Sequence, residues 1–306
     1  MSSRRLTIAT RRSPLALWQA EYVKEQLQTQ YPAWEVNLFP LETKGDRILD
    51  QTLAKIGGKG LFTAELERAL KQGEADIAVH SAKDMPARFD DDFTLAAILA
   101  RASSADALVT KPGMTWQQLP QGARVGTSSL RRQSQLLALR PDLDVIPVRG
   151  NVQTRLKKCF DDHLVDALIL AEVGLQRLAL DHHITHVFSP EEMLPAIGQG
   201  ALAIQCMANA SDLISDLQAI HDPQTTACVT AERVVGRTLG ASCETPLAAF
   251  AYYEQETIHL RALIADDHGE TILRAQASGT NPETLGNNVA NDLLAQGAAK
   301  YITTSD

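Results

Sequence analysis

Residues 124–170 read RVGTSSLRRQSQLLALRPDLDVIPVRGNVQTRLKKCFDDHLVDALIL. Short β runs are predicted at Arg124–Gly126, Asp144–Val148 and Ala167–Leu170. Helical patterns at Leu130–Leu139 and Val152–Phe160 fall between them. That alternation points to strands joined by crossover helices, hence mainly parallel sheets with helices on both faces. The same rhythm extends back to the start of the chain. Leu6–Thr10 reads as a strand, and Ser13-Pro14 opens a helix with Ser as N-cap and Pro at the first helical position. Val36–Leu41, Asp76–Val79, Thr94–Leu99 and Ala107–Thr110 follow as strands, with a helix over Leu61–Lys71. After about residue 220 the pattern changes. A helix at Thr225–Leu239 precedes three alternating runs, Leu247–Tyr253, Thr257–Ala265 and Thr271–Ala277, and a last helix aligns Leu285, Val289 and Leu293. This is a smaller α+β unit with an antiparallel sheet.

The composition excludes several classes. The chain has 306 residues, 44% hydrophobic and 22% charged, which is ordinary for a globular protein of two or three domains. No apolar run approaches the ~18 residues that span a bilayer. The opening MSSRRLTIATRRSP has arginines but no apolar core of a secretory signal. Four cysteines without short-spaced pairs suit a reducing, cytoplasmic setting. A net charge of −8 argues against a nucleic-acid partner. Yet the window Gln121–Arg155 holds six arginines, no lysine and only Asp142 and Asp144 as acids. A basic island in an acidic chain suggests a confined anion site.

Two glycine motifs are set aside. Gly57-Gly58-Lys59-Gly60 lacks the leading glycine and trailing hydroxyl of a P-loop, and Gly198-Gln199-Gly200 follows Pro195 where a strand should be. His182, His183 and His186, beside Asp181, are read as a solvated turn in preference to a metal site. The stronger signals lie where strands end. Gly126-Thr127-Ser128-Ser129 precedes a helix whose first turn carries Arg131 and Arg132. The helix dipole disfavours cations there unless an anion is present. Arg149-Gly150-Asn151 and Arg155 repeat the arrangement. Carboxylate and phosphate both fit such a cradle, and solvated helix starts are the plainer alternative. Asp84, beside Lys83 at the end of a strand, is either a charge-stabilising or proton-relaying acid or a turn-former before Pro86. Cys159, Cys206 and Cys228 fall in regular elements and are expected to be buried. Cys243 lies in the loop Ala241–Pro246, where a thiol is an attachment point, a nucleophile or a plain interface residue.

These motifs together resemble the porphobilinogen deaminase family. The likeness runs through Ile8–Arg11 with Ser13–Ala20, Lys55–Phe62, Ala75–Ser81 with Lys83-Asp84, Val125–Gln133, Arg149–Val152 with Thr154-Arg155, Leu194–Ala201 and the cysteine loop. The resemblance implies two periplasmic-binding-protein-like α/β lobes plus a smaller C-terminal α+β domain with an antiparallel three-stranded sheet. We expect domains at 1–99 with 200–219, at 100–199, and at 220–306 for the part carrying the cysteine loop. It further implies a transferase that condenses four porphobilinogen molecules head to tail with loss of ammonia, then releases linear hydroxymethylbilane by hydrolysis. A dipyrromethane cofactor would be held by a thioether to Cys243, with Lys83, Ser13, Thr127, Ser129, Arg131 and Arg132 binding its carboxylates. Asp84 would be catalytic, and Arg11, Arg149, Arg155 and Arg177 would contact substrate or the growing chain. No metal is implied, and a monomer passing its product to the next tetrapyrrole enzyme is expected. The family loop has glycines just before its cysteine, whereas Ala241 and Ser242 stand there here. A non-catalytic two-lobed binding protein would share the anion site but would not need Cys243.

Overall fold

A computed structural model describes residues 4–47, 61–111, 114–242 and 245–302. Its thirteen strands form three sheets among the described residues. The first contains β1 (Arg4–Arg11), β2 (Trp34–Leu41), β3 (Ile77–Ser81), β4 (Phe93–Ile98) and β10 (Leu202–Met207), in the order β2-β1-β3-β10-β4. The second contains β5 (Asp106–Thr110), β6 (Arg124–Gly126), β7 (Asp144–Ile146), β8 (Ala167–Ala171) and β9 (Ile184–Val187), in the order β7-β6-β8-β5-β9. These orders are the same topology twice.

The sheets are mixed, where the sequence reading expected them mainly parallel. β1 pairs in parallel with β2 and β3, and β6 with β7 and β8. By contrast, β10 runs antiparallel to β3 and β4, and β5 runs antiparallel to β8 and β9. The reversed strand in each sheet is the one that arrives from the other lobe. A crossover enters its sheet from the opposite end, so its strand direction is inverted.

Both sheets are covered on both faces. On the first, Leu6, Ile8, Val36, Ile77 and Ile204 pack against Ala20, Val23 and Leu27 of the helix Pro14–Gln30. Ala9 and Ala78 face Leu66, Ala69 and Leu70 of the helix Ala64–Lys71. In β8 the alternation is plain: Ala167 and Ile169 join one core while Leu168 and Leu170 join the other. The third sheet, β11 (Leu247–Glu254), β12 (Thr257–Ala265) and β13 (Ile272–Gly279), is antiparallel as expected. Its buried face meets the helices Pro223–Leu239 and Pro282–Ala295.

Two crossover segments, residues 99–105 and 188–201, run side by side between the lobes. Ala102 N–H donates to Gly200 O (3.3 Å) and Leu99 N–H to Leu202 O (3.0 Å). Gly200 has φ +92°, and a Cβ there would lie 2.7 Å from the carbonyl oxygens of Ala102 and Ser103, so no side chain fits between the segments. Glu232, fully buried on the helix Pro223–Leu239, ties both segments to the third sheet. It accepts from Arg101 Nη1 (2.8 Å) and Nη2 (3.0 Å), from Gly198 N–H (2.7 Å) and from Ala251 N–H (2.8 Å). A buried charge satisfied this fully is tolerated, whereas one left unpaired costs several kcal/mol.

Candidate active site

The site residues gather where strands of both lobes end beside the crossovers. β3 leads into a single 3-10 turn, Ala82–Asp84, which presents Asp84 exposed and Lys83 half-buried. The short β6 ends at Gly126, and Thr127, Ser128 and Ser129 turn the chain into the helix Leu130–Leu139. Ser129 is the N-cap, its side chain accepting from Arg132 N–H (3.4 Å), and Thr127 Oγ1 accepts from Ser129 N–H (3.2 Å). Thr127 is buried. The second start is built likewise. Asn151 Oδ1 accepts from Thr154 N–H (2.8 Å), and Gly150 has φ +118°, a conformation that favours glycine. Ser13 caps the helix Pro14–Gln30 by accepting from Ala16 N–H (3.4 Å).

The two arginines at the first start are not solvated, and the anion beside them is the protein's own. Arg131 and Arg132 are 4% and 6% exposed and converge on Asp106, which opens β5 and is fully buried. Arg132 donates to Asp106 Oδ1 from Nε (3.0 Å) and Nη2 (2.7 Å), and to Ile169 O from Nη1 (3.0 Å). Arg131 Nη2 lies 2.8 Å from Asp106 Oδ2, an ion-pair contact off the hydrogen-bond direction, and its Nη1 donates to Leu194 O (2.8 Å). Gln199 Nε2, from the second crossover, donates to Asp106 Oδ1 (2.9 Å) and Ser104 O (2.6 Å). Burial would raise the Asp106 carboxyl, but the charges of Arg131 and Arg132 outweigh it and hold the group well below the usual carboxylate range.

Around this trio the charge balance is positive. Burial first, then the charge of Arg132, lowers the Lys83 amine to about 8, with Asp84 and Asp106 opposing the shift. Lys83 Nζ lies 3.5 Å from Gln199 Oε1. Burial, then Arg132 and Arg149, lowers Arg155 to about 10 against the pull of Asp84. Arg155 Nε donates to Gly150 O (2.8 Å). Lys83 and Asp84 of one lobe thus share a field with Arg131, Arg132, Arg149 and Arg155 of the other.

Arg177 reaches the same cleft from the helix Glu172–Arg177. It lines a space of about 30 Å³ with Leu15, Gln19, Ser81, Lys83 and Gly200, room for about one water. Its Nη2 donates to Gly200 O (3.1 Å), its guanidinium sits 5.4 Å from the Trp18 ring centroid, and burial lowers it to about 10. Arg11 is engaged elsewhere. It pairs with Asp46 through Nε (3.2 Å) and Nη2 and stacks 4.2 Å from the Phe62 ring centroid. Cys243 lies outside the described residues, as do residues 55–60 of the Lys55–Phe62 motif.

Sequence reasoning missed Asp106, Gln199 and Glu232. An acid opening the otherwise apolar strand Asp106–Thr110 was the available signal for the first. Gln199 lies between Gly198 and Gly200, in a motif whose glycine spacing carries no signal for a side-chain donor. Cys159, Cys206 and Cys228 are buried, and burial pushes each thiol up to about 11. His182 and His183 sit in a 3-10 turn and His186 on β9, so they share no helix face. Among the described residues no three metal-ligating side chains converge.

Two family models account for most of the chain. The porphobilinogen deaminase dipyromethane cofactor binding domain matches residues 6–215, and the porphobilinogen deaminase C-terminal domain matches residues 226–295. The chain belongs to the porphobilinogen deaminase family. A porphobilinogen deaminase of Laribacter hongkongensis is 48% identical over 301 residues, covering 98% of this chain and 97% of the relative. One of Xanthomonas campestris pv. campestris is 50% identical over 300 residues, covering 97% and 98%. Among solved structures, the Bordetella pertussis BvgS periplasmic VFT2 domain shares 14% identity at a TM-score of 0.41, over 71% of this chain and 86% of that one. An arginine-specific periplasmic binding protein of Salmonella typhimurium shares 14% at 0.40, over 73% and 94%. The first porphobilinogen deaminase match contains both helix starts and all but the first two residues of the first two sheets, and the second covers the third sheet and most of its helices.

Proposed function

We propose that the chain joins four porphobilinogen molecules head to tail on a dipyrromethane primer attached to Cys243 and releases linear hydroxymethylbilane. It is a transferase of the porphobilinogen deaminase family, with a dipyrromethane cofactor binding domain over residues 6–215. The observation that carries the reading is one exposed carboxylate, Asp84, set among cations drawn from two lobes.

The residues present fit a cofactor that bears carboxylates. Lys83 and Arg155 are both held below their ordinary pKa by burial and by neighbouring cations, so each gains when an anion binds. Ser13, Thr127 and Ser129 supply hydroxyls at helix starts, and Lys83, Arg131 and Arg132 supply charge. Arg131 and Arg132 do so after sharing one carboxylate, so the trio with Asp106 keeps a single net positive charge. Dipyrromethane, when bound, supplies the pyrrole carbon to which the first unit is joined.

Each addition breaks the C–N bond of the porphobilinogen aminomethyl group and ammonia leaves; a C–C bond then forms between that methylene and the free α-carbon of the terminal pyrrole, which gives up its proton. The pyrrole carries positive charge as the C–N bond breaks, and a carboxylate at Asp84 has the sign that stabilises it. Arg11, Arg149, Arg155 and Arg177 hold acetate and propionate groups and so fix the orientation of each unit. Arg11 would do this beside its existing contact with Asp46. The same reading takes three domains, 1–99 with 200–219, 100–199 and 220–306, in a cytoplasmic monomer that passes its product to the next tetrapyrrole enzyme. No described helix is long and apolar enough to cross a membrane.

Intact-protein mass spectrometry tests the reading. The purified chain should exceed its sequence mass by two linked pyrrole units, mapped to the peptide containing Cys243. Asp84→Ala should retain that adduct while turnover falls by ~10²–10³ or more. A fully active, unmodified chain would refute the attachment, and near-normal turnover of Asp84→Ala would refute its role.

A further inference from the structure

The segment that follows Asp84 has little structure of its own. From Met85 to Asp92 it forms neither helix nor strand, and Met85 N–H donates to Ala82 O at a long 3.3 Å. Its far end is held within its own lobe, by Lys71 to Asp90 (2.9 Å) and Asp92 (2.7 Å), but the end next to Asp84 takes its polar anchor from another sheet's helix. Arg233, on the helix Pro223–Leu239, donates from Nη2 to Pro86 O (2.8 Å) and Ala87 O (3.4 Å), and its guanidinium lies 5.8 Å from the Phe89 ring centroid. Val229, one turn earlier on the same face, packs into a buried cluster with Ala82 and Met85, which flank Lys83 and Asp84. Burial first, then the charge of Arg237, lowers the Arg233 guanidinium from its ordinary value, and it keeps its donations to the two carbonyls.

The same helix continues about 10 Å beyond Arg233 to its end. Gly240, at φ +65°, terminates it, and Ala241 N–H donates to Gly236 O (2.9 Å), which fixes the first step of the loop toward Cys243. One rigid element therefore bears on the Asp84 segment with one turn and launches the cysteine loop with its last.

We propose that Arg233 is a positioning residue for Asp84, holding the Pro86–Ala87 backbone so that the carboxylate keeps a fixed place relative to the loop that carries Cys243. The proposal rests on the reading of Asp84 given above. Arg233 contacts only backbone and the Phe89 ring in this segment, so it acts through Asp84 and takes no part in bond making.

The test uses the adduct-bearing enzyme. Arg233→Met keeps the length and the apolar contact with Phe89 but removes both donations. It should retain the two-pyrrole adduct and melt within a few degrees of the parent, with kcat about tenfold lower and KM within about twofold, because small misplacement of a catalytic group costs rate. Arg233→Lys, which restores one donor, should recover much of kcat. In a double-mutant cycle with Asp84→Glu, the losses should fall short of multiplying, since both displace the same carboxylate. A parental kcat in Arg233→Met overturns the proposal. So do losses that multiply fully with Asp84→Glu, or a loss that tracks melting temperature and is not recovered by Lys. Failure of the parent reading shows separately, as near-normal turnover in Asp84→Ala, and it removes this proposal as well.

Discussion

At the start of the helix Leu130–Leu139 two arginines share one aspartate, whereas at the start of the helix Val152–Phe160 Arg155 has a carbonyl oxygen and the repulsion of Arg132 and Arg149. Both starts have a hydroxyl or amide N-cap and a glycine just before it or at the end of the preceding strand. The difference lies in what the lobe places opposite. β5 brings Asp106 to the first pair, whereas at Arg155 the charge of Asp84 opposes a lowering led by burial and then by Arg132 and Arg149. Cations of the first kind are part of the folded core, whatever they bind besides. Arg155 pairs with no such anion among the described residues, and on the proposed reading it takes an external one. Stability and binding should therefore separate between the two helix starts.

Removing the shared anion should have the largest effect. Asp106→Ala leaves two buried guanidiniums facing each other, and breaking a buried ion pair in this way costs about 3–5 kcal/mol. Thermal melting should show a fall of about ten degrees. In the parent protein the Asp106 carboxyl is depressed, so its contribution is full above the unfolded carboxylate pKa and is lost only as pH falls through the lower folded value. An unchanged melting temperature in Asp106→Ala would break the contrast at its root.

Arginine replacements sharpen it. Arg132→Leu removes three donated hydrogen bonds to Asp106 and Ile169, so it should lower the melting temperature and leave most of the chain without the two-pyrrole adduct. Arg155→Leu should melt like the parent and keep the adduct, while elongation slows about tenfold, the value of a charge-assisted contact. Native mass spectra after limited porphobilinogen addition would show partly elongated species in the second variant only. Equal melting temperatures and equal adduct fractions would erase the distinction.

The smallest effect concerns pH. The Lys83 amine titrates near 8 when folded, below its unfolded value of 10.5. Its contribution to folding stability is therefore complete above the unfolded pKa and is lost as pH falls through about 8. Its usefulness to a carboxylate runs the other way, because the charge disappears above about 8. Loading of apo-chain by porphobilinogen should weaken a few-fold from pH 7 to pH 9, read as adduct fraction by mass, and Lys83→Arg should flatten that profile. A flat profile in the parent would show that Lys83 stays charged in the site.

Local chemistry was legible in the sequence. Ser13 caps its helix with Pro14 at the first position as expected, the hydroxyl and amide stretches at Thr127–Ser129 and Asn151 do open helices, and Val152–Phe160 and Thr257–Ala265 form as read. These features depend on near neighbours in the chain, where propensity and periodicity apply. The partner of Arg131 and Arg132 lies 25 and 26 positions away on a strand whose neighbours only the sheet order reveals. Strand direction was hidden for the same reason. An apolar run such as Leu202–Met207 reads identically in a parallel or a reversed strand, and only the crossover decides. His182 and His183 do lie in a turn, as read, whereas β9 takes His186 into a sheet edge.

The exchange of strands between lobes also sets an order of assembly. All five strands of the second sheet lie between residues 106 and 187, so it is complete as soon as that stretch has emerged from the ribosome. The first sheet has four of its strands by residue 98, yet β10, which sits between β3 and β4, is not made until residues 202–207. Until then β4 has no hydrogen-bonded neighbour in its sheet, and β3 is paired only with β1. Completion of the sheets therefore runs against sequence order: the lobe that begins the chain is the one finished later, and through more than a hundred residues of elongation its open strand edges are the nascent protein's point of exposure to aggregation and to chaperones.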